Sequence, residues 1–170
     1  RLASTLIALD PSSEELAIEN FQKALSELTN IFEFEYLAHM RAKFGLQAQH
    51  KDDINLIKNW LDLIQRAKMD FTNSFIYLSS EHEMLTTHPE YAREFQEFIE
   101  KWNSRRDEDT LSLEQSHTLM RQTNPQFIPR NHLIQEAIEH AYKGDFSHFH
   151  KLCQVLRTPF DVTKIPQSLR

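Results

Sequence analysis

Histidines, cysteines and paired carboxylates are the side chains that hold metals or supply nucleophiles and protons, and this sequence has nine histidines and a single cysteine. Glu81, His82 and His88 lie in the stretch EHEMLTTH. A helical zinc-protease site needs histidines at i and i+4 with a glutamate beside the first, and here the second histidine comes two residues late. His148 and His150 are two apart, so on a helix their side chains diverge by about 200° and cannot readily chelate one ion. Cys153 shares a helical stripe with Phe149, Leu152 and Leu156, where a buried thiol behaves as a small hydrophobe and not as a nucleophile. The carboxylates are spread over polar faces and assemble no general acid and base. These readings predict no catalytic, cofactor-binding or metal-binding residue in the chain.

The stretch MRQTNPQFIPRNHLIQ, residues 120–135, is suited to recognition and not to reaction. Pro125 restricts Asn124 to an extended conformation and Pro129 does the same to Ile128, which stiffens the connector before a helix begins. Arg130 and Asn131 are then expected in the first helical turn, with a guanidinium fork able to grip a carboxylate or carbonyl group bidentately. Two readings follow. One is an interhelix joint in which Arg130 pairs with a nearby acid, and the other is a docking point for a neighbouring domain.

The elements that must position these residues are legible as helices. Phe21, Leu25, Leu28, Phe32 and Tyr36 advance by four, three, four and four along one helical face. Ser12 with Glu15 reads as a capping box at its start and Gly45 as its stop, and about 30 residues is long enough for one helix to leave room for a break near Asn30. From Asp53 to Lys68, Ile54, Ile57, Leu61 and Ile64 form a stripe beside Leu56, Trp60 and Leu63, a face wide enough for a central helix. Asp70 is placed to cap a short helix through Phe71, Phe75 and Leu78, and Pro89 opens another through Tyr91, Phe95, Phe98 and Trp102. Ser112 and Gln115 form a second capping-box signal, before Leu119 and Met120. Pro129 should open a helix with Ile134, Ala137, Ile138 and Ala141 on its inner face and Gly144 at its end, and Asp145 or Ser147 restarts the chain into a last helix. The expected fold is all-α, an irregular bundle of about seven helices over residues 1–158, with an irregular tail at 159–170.

Composition narrows the function. A net charge of -6 argues against a nucleic-acid surface, and no apolar run approaches the ~18 residues of a membrane span, so a cytoplasmic protein is expected. The run Arg105, Arg106, Asp107, Glu108, Asp109 is internally neutralised and reads as a solvated connector. Two glycines, Gly45 and Gly144, are too few for a phosphate-cradling loop. The sequence opens on Arg1 and not on methionine, which fits a piece of a longer protein.

At residues 124–145 the sequence resembles the C-terminal region of the SelO family of kinase-like protein adenylyltransferases. The family pattern N-P-x-aromatic-aliphatic-x-R-N-x-L-x-Q-x-A-I, then G-D, is matched by Asn124, Pro125, Phe127, Ile128, Arg130, Asn131, Leu133, Gln135, Ala137, Ile138, Gly144 and Asp145, while Pro129 stands where the family has an aliphatic residue. Met40, Arg41, Lys43, Gly45 and Leu46 resemble its M-R-x-K-L-G-L, Asp70, Phe71, Thr72 and Phe75 its D-F-T-x-x-F, and Leu156, Arg157, Pro159, Phe160 and Asp161 its L-R-x-P-aromatic-acid. The resemblance implies a bacterial parent with a pseudokinase fold that binds ATP and a divalent metal such as magnesium and transfers AMP to protein hydroxyls. It further implies that the nucleotide and metal machinery lies in an N-terminal kinase-like region that this chain does not match. The chain is therefore expected to be a non-catalytic C-terminal module packed on the catalytic domain of the same polypeptide, with Asn124, Pro125, Arg130, Asn131, Gln135 and Arg41 as docking or structural residues. The alternative is a stand-alone helical adaptor that binds a partner protein beside Arg130 and Asn131.

Overall fold

Apolar residues three and four apart wind the chain into helices, and helix is the regular structure throughout the computed structural model, which describes residues 2–78 and 88–166. Among the described residues there are eight α-helices: α1 (Leu2–Leu6), α2 (Glu14–Lys43), α3 (Asp53–Arg66), α4 (Phe71–Leu78), α5 (Ala92–Asp107), α6 (Leu113–Thr123), α7 (Asn131–Tyr142) and α8 (Ser147–Leu156). Short 3-10 turns occupy Ile7–Leu9, Pro89–Tyr91 and Val162–Lys164. The all-α class is as expected, with α1 added to the seven or so helices read from the sequence. His82 lies outside the described residues.

The chain divides into two compact units, residues 1–40 and residues 41–170. In the first, Ser12 does not open a capping box. Its N–H and hydroxyl both donate to Asp10 Oδ1, which ties the turn, and Ser13 Oγ accepts from the N–H of Leu16 in its place. Nor does α2 break at Asn30; it runs without interruption, and the hydroxyls of Ser26 and Thr29 fold back onto the carbonyls of Lys23 and Leu25. Its apolar stripe does not form an inner face. Leu25, Leu28, Phe32 and Tyr36 are all exposed, Phe32 to 66%, with Phe32 and Tyr36 stacked 6.1 Å apart.

The second unit is built around aromatic rings. Phe44, Trp60, Phe75, Phe95, Phe98 and Trp102 are buried, with Trp60 and Phe98 at 4.8 Å between centroids and Phe44 and Phe75 at 5.3 Å edge to face. Trp102 Nε1 donates to the Phe44 carbonyl at 2.9 Å, so the turn that follows Lys43 is tied to α5 by a buried bond. A smaller apolar cluster joins Phe127, Ala137, Leu152, Val155 and Ile165. Ile165 lies beyond Pro159, so the segment expected to be an irregular tail carries a 3-10 turn and a buried side chain.

Three helix ends in this unit are alike. Around Gly45, Lys68 and Gly144, each at positive φ, the chain closes paired amide to carbonyl bonds: Leu46 to Arg41 and Gly45 to Ala42, Met69 to Ile64 and Lys68 to Gln65, Asp145 to His140 and Gly144 to Ala141. Gly45 is further constrained, because a Cβ there would stand 2.8 Å from the Ser116 carbonyl oxygen and 2.9 Å from Met120 Cγ. At the third turn, Asp145 accepts from Ser147 and sits 3.0 Å from His140 Nδ1. Those partners, Ser147 first, lower the Asp145 carboxyl to about 2.

Candidate functional site

The conserved geometry of a helix end leaves carbonyls without partners, and Asn124 meets that need for α2. Pro125 keeps it extended, with φ -100° and ψ 106°, and its buried amide Nδ2 donates to the Lys43 carbonyl at 2.9 Å. Lys43 Nζ returns a bond to Asn124 Oδ1 at 3.3 Å and lies over the rings of Phe75 and Phe71 at 5.0 and 5.7 Å. Burial lowers the pKa of this ammonium. One asparagine and one lysine thus tie Lys43, α4 and the end of α6 together within the second unit.

The connector beyond Asn124 is held along its length. The N–H groups of Gln126 and Phe127 both donate to the Pro159 carbonyl, at 2.8 and 3.1 Å, while Phe127 enters the smaller apolar cluster. Pro129 is exposed and precedes the helix; Arg130 is the N-cap of α7, with extended φ and ψ, and not part of its first turn. Its guanidinium fork closes on the Asp70 carboxylate, Nη1 to Oδ2 and Nη2 to Oδ1, the latter at 2.8 Å. Asp70 Oδ1 also caps α4 by accepting from Asn73 N at 2.8 Å, as its position predicts. The Arg130 hydrogen bond is the chief cause holding the Asp70 carboxyl below its usual range, and Asp70 in turn raises Arg130.

Of the six residues singled out by sequence, Asn124 and Arg130 anchor the two ends of this connector, to Lys43 and to Asp70, and Pro125 follows the extended Asn124. Asn131 and Gln135 are exposed on α7, where Gln135 donates to Glu139 at 3.0 Å. Arg41 belongs elsewhere. It is buried 3.9 Å from Asp53, whose carboxylate also receives Arg105 Nε at 2.8 Å and the N–H of His50 at 2.8 Å. Arg105 reaches on to the Ala48 carbonyl at 2.6 Å and to Asp109 at 3.2 Å. Burial disfavours the charged form of Asp109, yet donors from Gln47, Leu111, Arg105 and Ala48 bring its carboxyl below the usual value.

The run from Arg105 to Asp109 is therefore not a solvated connector throughout, since both of its end residues have enclosed side chains. A signal for this was present. Arg105 continues the Phe95, Phe98, Trp102 rhythm by three, and Asp53 starts the Ile57, Trp60, Ile64 rhythm, so both charges fall on core-facing stripes.

Two further features lie on α7 and α8, which pack against each other. On one side Ile134, Ile138, Phe146, Phe149 and Cys153 line an apolar groove of about 450 Å³, which leaves Cys153 half-buried and its neighbours open where an inner face was expected. On another, Glu136, His140 and His148 place ligand atoms within 4.8 Å of one another. His148 meets His140 across the helix pair, their ring centroids 3.8 Å apart.

These segments, read in order, match one family. A family model described as protein adenylyltransferase SelO covers residues 2–157. The chain belongs to the SelO family. It is 36% identical over 162 residues to a protein nucleotidyltransferase YdiU of Halalkalibacterium halodurans, covering 94% of this chain and 32% of that protein. The proteins of that name from Clostridium beijerinckii and Rhizobium meliloti are 32% and 34% identical over 99% and 95% of this chain, and 36% and 34% of their own lengths. This SelO-family chain thus spans about a third of the length of the curated relatives it matches. No described helix is long and apolar enough to cross a membrane.

Proposed function

We propose that the chain is the helical C-terminal module of a bacterial, cytoplasmic protein adenylyltransferase, without catalytic residues of its own, and that it packs against a kinase-like domain of the same polypeptide. That domain binds ATP with a divalent metal such as magnesium and transfers AMP to serine, threonine or tyrosine hydroxyls of proteins. The observation that carries this reading is the stripe on α2. Leu25, Leu28, Phe32 and Tyr36 form one exposed face, and Ile31 and Phe34 add exposed apolar side chains off it. A helix apolar on more than one side is covered on more than one side in its working assembly. Relatives about three times as long as this chain have further sequence from which such a cover would come.

The Arg130 joint supports a scaffold role over the stand-alone adaptor, because its fork is already occupied by Asp70 and is not presented to a partner. Calorimetric titration of the isolated chain with Mg-ATP is expected to give no binding, and tight binding would overturn the division of labour. In the full-length protein, Leu28→Glu with Phe32→Glu should depress AMP incorporation and lower the melting temperature together. Unchanged values for both would remove α2 from the interface.

A further inference from the structure

The turn at Gly144 folds α8 back along α7 and sets up a cluster that the adenylyltransferase reading does not use. Glu136 and His140 lie four apart on α7 and so share a face, while His148 comes from the first turn of α8. The two imidazole centroids are 3.8 Å apart. His148 Nδ1 is shielded from solvent and has no hydrogen-bond partner; the nearest carboxylate oxygen, Glu136 Oε1, stands 3.5 Å away. An enclosed imidazole nitrogen that faces a carboxylate oxygen without bonding it leaves two potential ligand atoms that one cation could bridge.

His140 is oriented from behind. Its Nδ1 lies 3.0 Å from Asp145 Oδ2, and with the proton held there the free lone pair sits on Nε2. A carboxylate that fixes the tautomer of an imidazole is the usual support of a metal-binding histidine. Asp145 is itself held by the turn, through its N–H to the His140 carbonyl and its Oδ1 to Ser147 N.

We propose that Glu136, His140 and His148 bind one divalent transition-metal ion, with Asp145 as the residue that positions His140. Two imidazoles and one carboxylate are a donor set for zinc, with water completing a four-coordinate shell, and not for magnesium or calcium, which take oxygen ligands. The ion would clasp α7 to α8 on a different side from the apolar groove. The site does not rest on the adenylyltransferase reading, and its test needs no nucleotide.

The experiment is calorimetric titration of zinc into chelator-treated chain, with cobalt absorption as a second readout of coordination. One ion per chain is expected, with no comparable binding of magnesium. Zinc should raise the melting temperature of the unaltered chain. His140→Ala and His148→Ala should each abolish stoichiometric binding and the thermal shift, with helical circular dichroism intact because the two side chains are 36% and 35% exposed and belong to neither apolar cluster. Asp145→Asn should weaken binding by roughly 10–100-fold. Absence of stoichiometric binding, or binding that persists in the doubly substituted His140→Ala, His148→Ala chain, would overturn the site. Undiminished affinity in Asp145→Asn would overturn the positioning role.

Discussion

Arg105 and Asp53 show how much depends on a single buried charge. Their bond is 2.8 Å long between side chains that are 8% and 3% exposed, and Arg41 and Asp109 extend the network on either side. Removing one member strands the opposite charge away from water, so Arg105→Ala should cost about 3–5 kcal/mol of stability, read from the urea midpoint. The Arg130 and Asp70 pair, a third exposed on each side, is screened and its loss should cost only about 1 kcal/mol. It has a distinct pH signature. Asp70 titrates below its usual 3.8 when folded, so the pair's contribution is full above that value and is lost as pH falls through the lower folded value. Arg130→Ala should therefore lower stability by about 1 kcal/mol at neutral pH and by nothing once Asp70 is protonated, which flattens the acid limb of stability against pH by that same amount. The sequence revealed Arg130 because two prolines aim it, whereas the charge run around Arg105 hid a residue whose burial follows from the stripe it shares with Trp102. His140 was missed for a different reason. Its partner lies on another helix, and spacing within one helix cannot report it.

At the scale of the elements, the endings of α2, α3 and α7 separate two costs that glycine usually hides together. Gly45 and Gly144 both have positive φ, but only Gly45 is pressed against α6. Replacement by alanine should cost about 1 kcal/mol at Gly144, from backbone strain alone, and clearly more at Gly45, where Ser116 and Met120 must also shift. Thermal unfolding of the two variants side by side gives the comparison. Helix starts were readable where the cap had one strong candidate, as at Ser112 and Asp70. At α2 two adjacent serines competed, and the one bonded to Asp10 was unavailable to the helix. The stripe on α2 was legible as a period but not as an exposed face, since periodicity says which residues align and not what covers them.

For the whole molecule, the line between helical domain and tail does not fall where the period stops. Ile165 is 4% exposed in the cluster with Phe127, Ala137, Leu152 and Val155, so Ile165→Ala should cost about 2–4 kcal/mol by denaturant titration, well outside what an unstructured tail would give. The Pro159 carbonyl, by accepting from both Gln126 and Phe127, splices the end of the chain to the connector that leads into Arg130. A protease nick just after Arg157 would consequently do more than shorten the polypeptide. It would unclip two amides and uncork the small core at once, so that damage at one terminus would be felt some thirty residues upstream, at the grip on Asp70.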